Sequence, residues 1–491
     1  MMEAKEACGV FGVYAPGRSV AHITFDGLFA LQHRGQEAAG MAVSDGEAIM
    51  VMKDMGLVTT VFDERKLSAL RGDLAIGHTR YSTAGNRDWM NAQPVFRDVG
   101  RAGFALGHNG NLTNTDALAE SAGMLPGLVD SDSDMVAELL GQKFPPEDPD
   151  RPAADLDQDL EAALTAVLPR LEGAFSFVLL DAERLIGVRD PNGFRPLCLG
   201  WLEATGEFEE GWVLASESPA LDVVGATFVR ELEPGEMVII DGKEVRSVRP
   251  FPLERVNPKL CVLEFVYFAR PDTILYGNEV HGARRRMGQL LAAQKPVAAD
   301  LVMGVPDSGV PAAEGYAFGS GIPYGQGLVK NRYIGRTFIA PTQLERADGV
   351  RRKFNPLRDN IHGKRLIVVD DSIVRGTTLR ALVIMLRESG AREVHLRISS
   401  PPFRWPCFYG IDTPDKDELL ASVKSLDEIV EFLNVDSLEY LTLDNLKTAI
   451  DAPGAGFCDA CLTGNYPAPV PVPVELSTHR PLGAVATASP A

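Results

Sequence analysis

Leu366-Ile367-Val368-Val369-Asp370-Asp371-Ser372-Ile373-Val374-Arg375-Gly376-Thr377-Thr378 runs from an unbroken apolar segment into two consecutive acids, then into a turn of small hydroxyl-bearing residues. The apolar run predicts a strand buried on both faces. An amphipathic pattern over about Leu379–Ser389, closed by Gly390, predicts the helix that follows, and Val394–Ser399 predicts another strand. Upstream, a predicted strand Leu301–Val305 leads into Pro306-Asp307-Ser308-Gly309. Strand, loop and helix in alternation mean crossover connections, hence an α/β architecture with a mostly parallel sheet. Backbone N–H groups at the predicted helix start, with the hydroxyls of Ser372, Thr377 and Thr378, can cradle a phosphate monoester. Asp370 and Asp371 can hold ribose hydroxyls and, through them, a Mg2+ that neutralises a diphosphate.

The chain before this region has another character. Short strands with glycine-rich turns are predicted over Cys8–Tyr14, Gly40–Val43, Leu74–Gly77, Ala105–His108, Phe175–Leu180, Leu185–Arg189, Trp212–Ala215 and Met237–Ile240. Helical periodicity appears over Ile23–Leu31, Asp132–Leu140 and Asp159–Leu168. Phe144–Asp157, rich in Pro and Asp, reads as an exposed loop. A boundary between the two halves is placed near Phe251–Pro258. From about Pro467 to Ala491 the chain is low in complexity and is expected to be disordered.

With 491 residues the chain exceeds one ordinary core. Its composition, 45% apolar and 23% charged with no apolar run of bilayer length, is that of a soluble globular protein. Residues 1–7 lack the hydrophobic segment of a secretory signal, so a cytoplasmic location is expected, without membrane association. In a reducing compartment the six cysteines read as catalytic groups or metal ligands before disulfides. A net charge of −19 excludes nucleic acid as the main partner. The charge is uneven: eleven acids and two bases between Asp130 and Glu161, against eight bases and two acids between Lys330 and Arg358. The cationic stretch suits a small polyanionic substrate.

Cys8-Gly9-Val10-Phe11-Gly12-Val13-Tyr14 stands near the start of the chain. Alone, Cys8 reads as a small buried hydrophobe in a strand. If processing made it the first residue, it would carry a thiol nucleophile beside an α-amine of pKa ~7.7–8.0, able to act as the thiol's base. Other clusters give that reading company: Gln32-His33-Arg34-Gly35-Gln36-Glu37 after a helix, Gly77-His78-Thr79-Arg80-Tyr81-Ser82-Thr83 and Gly107-His108-Asn109-Gly110-Asn111 at predicted strand ends, and Asp130-Ser131-Asp132-Ser133-Asp134 opening a helix. Together they hold what hydrolysis of a glutamine side-chain amide requires. Cys8 attacks, and Asn109 with the Gly110 N–H forms an oxyanion hole. Arg80 pairs with an α-carboxylate and Asp132 accepts from an α-ammonium.

These first-half motifs resemble the N-terminal-nucleophile (Ntn) class II glutamine amidotransferases. The resemblance implies an αββα sandwich over residues 8–257, Arg80, Thr83 and Asp132 as glutamine ligands, and residues 1–7 as a propeptide removed, autocatalytically, by cleavage of Ala7–Cys8. Val368–Thr378 resembles the ribose-phosphate motif of type I phosphoribosyltransferases, which use 5-phospho-α-D-ribose 1-diphosphate (PRPP). That likeness implies Ser372, Arg375, Gly376, Thr377 and Thr378 around PRPP, Ser308, Asp370 and Asp371 near one Mg2+ per subunit, and a closing loop over Lys330–Arg358 that brings in Lys330 and Arg336. One family joins both halves, the amidophosphoribosyltransferases. Membership implies production of 5-phosphoribosylamine, glutamate and diphosphate from PRPP, glutamine and water, internal passage of ammonia, feedback inhibition by purine nucleotides, and a homotetramer. A sugar-phosphate aminotransferase with the same glutaminase is disfavoured by Asp370-Asp371, and an inactive nucleotide-binding relative by the full set of site residues.

Cys198 lies in an apolar context and reads as core. Cys261, Cys407, Cys458 and Cys461 do not, and Cys458-Asp459-Ala460-Cys461 has metal-ligand spacing. On the residues alone zinc, an iron–sulfur cluster and an unconnected set stay open. The family resemblance implies a 4Fe–4S cluster on these four cysteines, within a transferase domain of residues 258–466.

Overall fold

The structure is a computed structural model that describes residues 8–81, 89–100, 102–124, 129, 131–144, 159–242, 244–331, 351–411, 413, 415–454 and 456–471. Strand Gly9–Tyr14 sets the pattern of the first half. Val10 and Gly12 face a second sheet, whereas Phe11 and Val13 face helix Val20–Ala30. A sheet covered on both faces needs apolar residues in both phases, so alternation along this strand is weak. The strand is the centre of a seven-stranded antiparallel sheet in the order Thr227–Glu231, Cys198–Leu202, Gly211–Ala215, Gly9–Tyr14, Leu74–Arg80, Ala38–Ser44, Ile49–Met55.

The facing antiparallel sheet has six strands: Glu244–Val248, Met237–Asp241, Arg184–Arg189, Gly173–Leu180, Phe104–Leu112 and Val95–Arg97. Helices Asp132–Gly141 and Asp159–Val167 cover its outer side through Met135, Leu139, Leu160 and Leu164. Helix, sheet, sheet and helix make the αββα sandwich.

Two strands run further than their apolar residues. Leu74–Arg80 continues through His78 to Arg80, and Phe104–Leu112 continues through His108-Asn109-Gly110-Asn111, so each motif begins inside a strand and reaches its end, as expected, with more of it in the strand than the apolar residues alone indicate. The polar groups have partners distant in sequence. His78 Nε2–H donates to the His108 carbonyl at 2.9 Å, and the His108 N–H donates to Gln93 Oε1 at 2.7 Å.

The second half carries a four-stranded parallel sheet, Leu301–Gly304, Arg365–Asp370, Glu393–Ile398 and Ser437–Tyr440. Helices Val280–Gln294 and Val310–Ser320 pack on the face bearing Val302, Ile367 and Val369. Helices Thr377–Glu388 and Leu426–Leu433 pack on the face bearing Met303, Leu366 and Val368. Two-residue strands Leu260–Cys261 and Phe457–Cys458 pair in parallel, bringing the last segment back to where this half begins. Among the described residues no helix is long and apolar enough to cross a membrane.

A charge network without solvent contact joins the halves. Arg34 donates through Nε to Glu217 and through Nη2 to Glu264 Oε2 at 2.5 Å. Arg195 reaches Glu264 Oε1 at 3.3 Å, and all four side chains are fully buried. Glu217 also accepts from the Arg270 N–H at 2.9 Å and from Thr273 Oγ1 at 2.5 Å. Removing one partner of such a set leaves a buried charge uncompensated. Glu264→Leu should therefore lower stability by about 3–5 kcal/mol, read as a fall in the urea midpoint. Adding Arg195→Met should restore part of that loss.

Candidate active sites

Cys8 sits immediately before strand Gly9–Tyr14. Its thiol donates to the Tyr81 carbonyl at 3.4 Å, and the Tyr81 N–H donates to Sγ at 3.4 Å. Burial pushes the thiol up to about 11, while the Tyr81 hydrogen bond and the Arg80 guanidinium pull the other way. At neutral pH this sulfur is a thiol that needs a base. On strand Phe104–Leu112 the side-chain amide of Asn109 is fully buried, and among the described residues neither its nitrogen nor its oxygen has a hydrogen-bond partner. Arg80 Nη1 is likewise buried and unpartnered. Orphaned buried donors are rare unless a ligand completes them.

Gly110 follows at φ +151°, where a Cβ would stand 2.1 Å from the Ala174 oxygen and 2.8 Å from His108 Nε2. Only glycine fits there. Asp132 opens helix Asp132–Gly141 behind this strand and accepts from the Leu112 N–H at 3.1 Å and the Ser133 N–H at 2.8 Å. Burial pushes its carboxyl up, but His108, 3.5 Å away, and these backbone donors outweigh it and hold the group below its ordinary value. Asp132 is thus ionised at neutral pH. His78, drawn down to about 3 by burial, is neutral and serves as a fixed strut. The strut formed by His78, Gln93 and Ser133 behind the Asn109 strand was not legible in the sequence, because its members are spread over His78–Ser133 with no common spacing.

The second site is a cavity of about 760 Å³ at the carboxyl ends of the parallel strands. Ser308, Lys330, Asp370, Ser372, Arg375, Gly376, Thr377 and Thr378 line it. Asp371 stands behind them, nearly buried, and accepts from the hydroxyls of Ser308 and, at 2.5 Å, Ser372. Lys330 pairs with Asp307 and Arg375 with Glu418. Helix Thr377–Glu388 begins at the cavity, preceded by Gly376 at φ +72°. His33 and Gln36, from the first half, also line the cavity. Arg284, on helix Val280–Gln294, is a lining residue with no sequence signal. It donates to the carbonyls of Phe265 at 2.9 Å and Ala269 at 2.8 Å. Burial draws its guanidinium down to about 10 although Asp371 opposes this. Thr83 and Arg336 lie outside the described residues.

Cys261 and Cys458 are direct neighbours in the short parallel pair, and Cys461 follows on the turn Ala460–Thr463. Cys407 is held by its N–H to Thr413 Oγ1 at 2.7 Å, and its sulfur accepts from the Tyr409 N–H at 3.4 Å. All four are buried free thiols, and burial raises every one of them. Cys461 is additionally pushed up by Cys407, Cys261 and Cys458 together, so the four share one neighbourhood. Among the described residues no three His, Cys, Asp or Glu side chains converge as ligands of one metal ion. Cys198 stands apart, its thiol donating to the Ala215 carbonyl at 3.2 Å inside the sandwich core.

Comparison with known proteins adds an independent finding. Residues 78–223 match the model of a glutamine amidotransferase domain and residues 277–399 that of a phosphoribosyl transferase domain. The amidophosphoribosyltransferase of Mycobacterium tuberculosis strain H37Rv is 52% identical over 95% of this chain and 87% of its own. That of Bacillus subtilis is 44% identical over 94% of each. The solved structure of glutamine phosphoribosylpyrophosphate amidotransferase from B. subtilis, complexed with ADP and GMP, superposes with a TM-score of 0.82, covering 95% of this chain and 98% of that one at 43% identity.

The protonated state of Cys8 is open to measurement. In the chain still carrying residues 1–7, alkylation of Cys8 by iodoacetamide should keep climbing with pH towards about 11. Peptide mass spectrometry follows it; a plateau at the free-cysteine value of ~8.5 would mean that the thiol is solvated.

Proposed function

The chain belongs to the amidophosphoribosyltransferase family, and from that membership we propose how its residues divide the reaction. The enzyme makes 5-phosphoribosylamine, glutamate and diphosphate from PRPP, glutamine and water, in purine biosynthesis. The observation that carries the residue assignment is the buried Asn109 amide, unpartnered among the described residues and followed by a position that only glycine fits, in a chain whose other cavity is lined from both halves.

Cleavage of Ala7–Cys8 removes the propeptide and frees the α-amine, which takes the Cys8 proton. The thiolate then attacks the glutamine amide carbon. The developing oxyanion is met by Asn109 Nδ2–H and the Gly110 N–H, while Arg80, Thr83 and Asp132 hold the amino-acid end. Collapse returns the proton to the leaving nitrogen as ammonia, and water hydrolyses the thioester to glutamate. In the cavity, Ser372, Thr377, Thr378 and the helix start take the 5-phosphate, Arg375 and Gly376 shape that loop, and Lys330 with Arg336 faces the diphosphate. Asp370, Asp371 and Ser308 offer the hard oxygen donors that Mg2+ prefers; when bound, that ion would offset diphosphate charge as it leaves. Ammonia then bonds to ribose C1 as the C1–O bond to diphosphate breaks, and the resulting ammonium loses one proton to give the amine.

Cys261, Cys407, Cys458 and Cys461 suit a 4Fe–4S cluster. All four are thiols buried in one neighbourhood, and thiolates are the ligands such a cluster takes. Its role is to staple the last segment to the transferase half. The domain division follows the same reading: propeptide 1–7, glutaminase 8–257, transferase with its cysteine segment 258–466, and tail 467–491. A cytoplasmic homotetramer inhibited by purine nucleotides completes it, in keeping with the B. subtilis relative solved with ADP and GMP.

Three outcomes test these assignments. Cys8→Ala should lose glutamine-supported turnover by at least about 10³-fold and keep ammonia-supported turnover. In the processed wild type, glutamine-supported kcat/KM should rise with pH through ~7.7–8.0, as the α-amine loses its proton; a rise deferred to the thiol's own range would remove the amine from the mechanism. Protein purified without oxygen should be brown, with about four iron and four sulfide per chain. Colourless protein with stoichiometric zinc would defeat the cluster.

A further inference from the structure

We propose that Asn111 is a positioning residue of the glutamine site, fixing the oxyanion strand against the loop Cys407–Gly410 of the other half of the chain. The inference rests on the reading of Asn109 and Gly110 as oxyanion donors. Asn111 Nδ2–H donates to the Phe408 carbonyl at 3.0 Å, across 297 positions of sequence. The next carbonyl, that of Tyr409, accepts from Arg195 Nη2 at 2.8 Å and Nε at 3.1 Å. The next residue, Gly410, at φ +97°, lies so close that a Cβ on it would stand 2.9 Å from the Gly110 carbonyl carbon. Three successive residues of the loop are thereby engaged by the glutaminase half.

The Gly110 backbone is pressed from two directions. Ala174 closes one side, 2.1 Å from where a Cβ would be, and Gly410 closes another. Asn111 carries the adjoining hydrogen bond. The orientation of the Gly110 peptide decides where its N–H points, and Asn109, which precedes it, has no side-chain hydrogen bond of its own to fix the amide. A pair of donors must be aimed before charge develops, and misplacement by about 1 Å can cost about 10²-fold in rate. The loop from the transferase half is what holds this strand in register with its task. Asn111 touches no reacting atom, so it acts through the backbone beside it.

The test uses the full processed enzyme with Asn111→Ala and Asn111→Asp, the second keeping the shape of the side chain without its donor. Glutamine-supported kcat should fall about 10–100-fold while KM for glutamine and ammonia-supported kcat stay within about twofold. Gly410→Ala, which presses on Gly110 from the loop side, should give the same split. A glutamine analogue with an aldehyde in place of the amide adds the Cys8 sulfur to its carbonyl carbon and leaves the oxygen in the hole. Its affinity should drop with kcat, whereas glutamate, which forms no adduct, should bind as to the wild type. Unchanged glutamine turnover in both Asn111 variants overturns the proposal, and so does equal loss with ammonia, the mark of general destabilisation. An unprocessed or glutamine-inactive wild type, or a Cys8→Ala enzyme still using glutamine, would instead overturn the underlying oxyanion reading.

Discussion

Two arginines and two glutamates, none touching water, sit at the junction of the two halves, and the rest of the molecule is arranged around keeping them satisfied. Such a cluster is not a cheap source of stability, since desolvating each ion offsets most of the attraction gained. What it supplies is direction. Glu264 accepts guanidinium donors on both oxygens, from Arg34 and Arg195, and Glu217 accepts Arg34, His33 at 2.7 Å, and the Arg270 backbone. His33 and Arg270 both line the transferase cavity. Arg195 meanwhile holds the Tyr409 carbonyl beside Cys407. Four charges therefore fix the relative placement of the cavity wall, the helix end of the glutaminase and the cysteine loop, because any slip would strand one of them unpaired.

The two sites use electrostatics in opposite ways. Around Cys8 the environment is dry and spare: a raised thiol, an amide without partners, and a guanidinium with an open position. Little there opposes a neutral amide entering, and donors wait where negative charge will appear. The transferase cavity is crowded with charge that is already paired, Lys330 with Asp307, Arg375 with Glu418, Ser308 with Asp371. A polyanionic substrate must exchange those partners for its own phosphates. The local excess of basic residues over Lys330–Arg358, in a chain of charge −19, makes that exchange favourable.

Legibility in the sequence followed the range of the interactions. Strand Arg365–Asp370 and helix Thr377–Glu388 were plain because pattern, turn and helix start are consecutive. Gly9–Tyr14 and Gly173–Leu180 were equally plain, being apolar along nearly their whole length with Ser176 the one hydroxyl in the second. Edge strands Ile49–Met55 and Glu244–Val248 escaped, since half-exposed mixed residues carry no clear period. The continuation of Phe104–Leu112 past His108 escaped for another reason: Asn109-Gly110-Asn111 looks like a turn until His78, Gln93 and Ser133 are seen to hold His108 in the strand before it. Arg284 gave no sign because its partners are backbone carbonyls. The seating of the chain past Tyr466, where Ala468 exchanges hydrogen bonds with Tyr409 Oη at 2.5 and 3.1 Å, was hidden under a composition that reads as disorder.

That last contact belongs to an aromatic cluster at the junction of the two halves. Its pieces come from distant stretches of sequence. Phe194 stacks on Tyr409 with ring centroids 4.4 Å apart, Tyr409 and Phe408 meet Tyr466 edge-on, and Arg195 lies over Phe268. Tyr409 Oη donates to the Ala468 carbonyl and Tyr466 Oη to the Pro406 carbonyl, so two of these rings are also tied by hydrogen bonds. Phe408, Tyr409 and Tyr466 belong to the cysteine segment, and through them the end of the chain packs against Phe194 of the first half. The parallel pairing of Phe457–Cys458 with Leu260–Cys261 fixes the same segment to the start of the second half, so it is held from both sides.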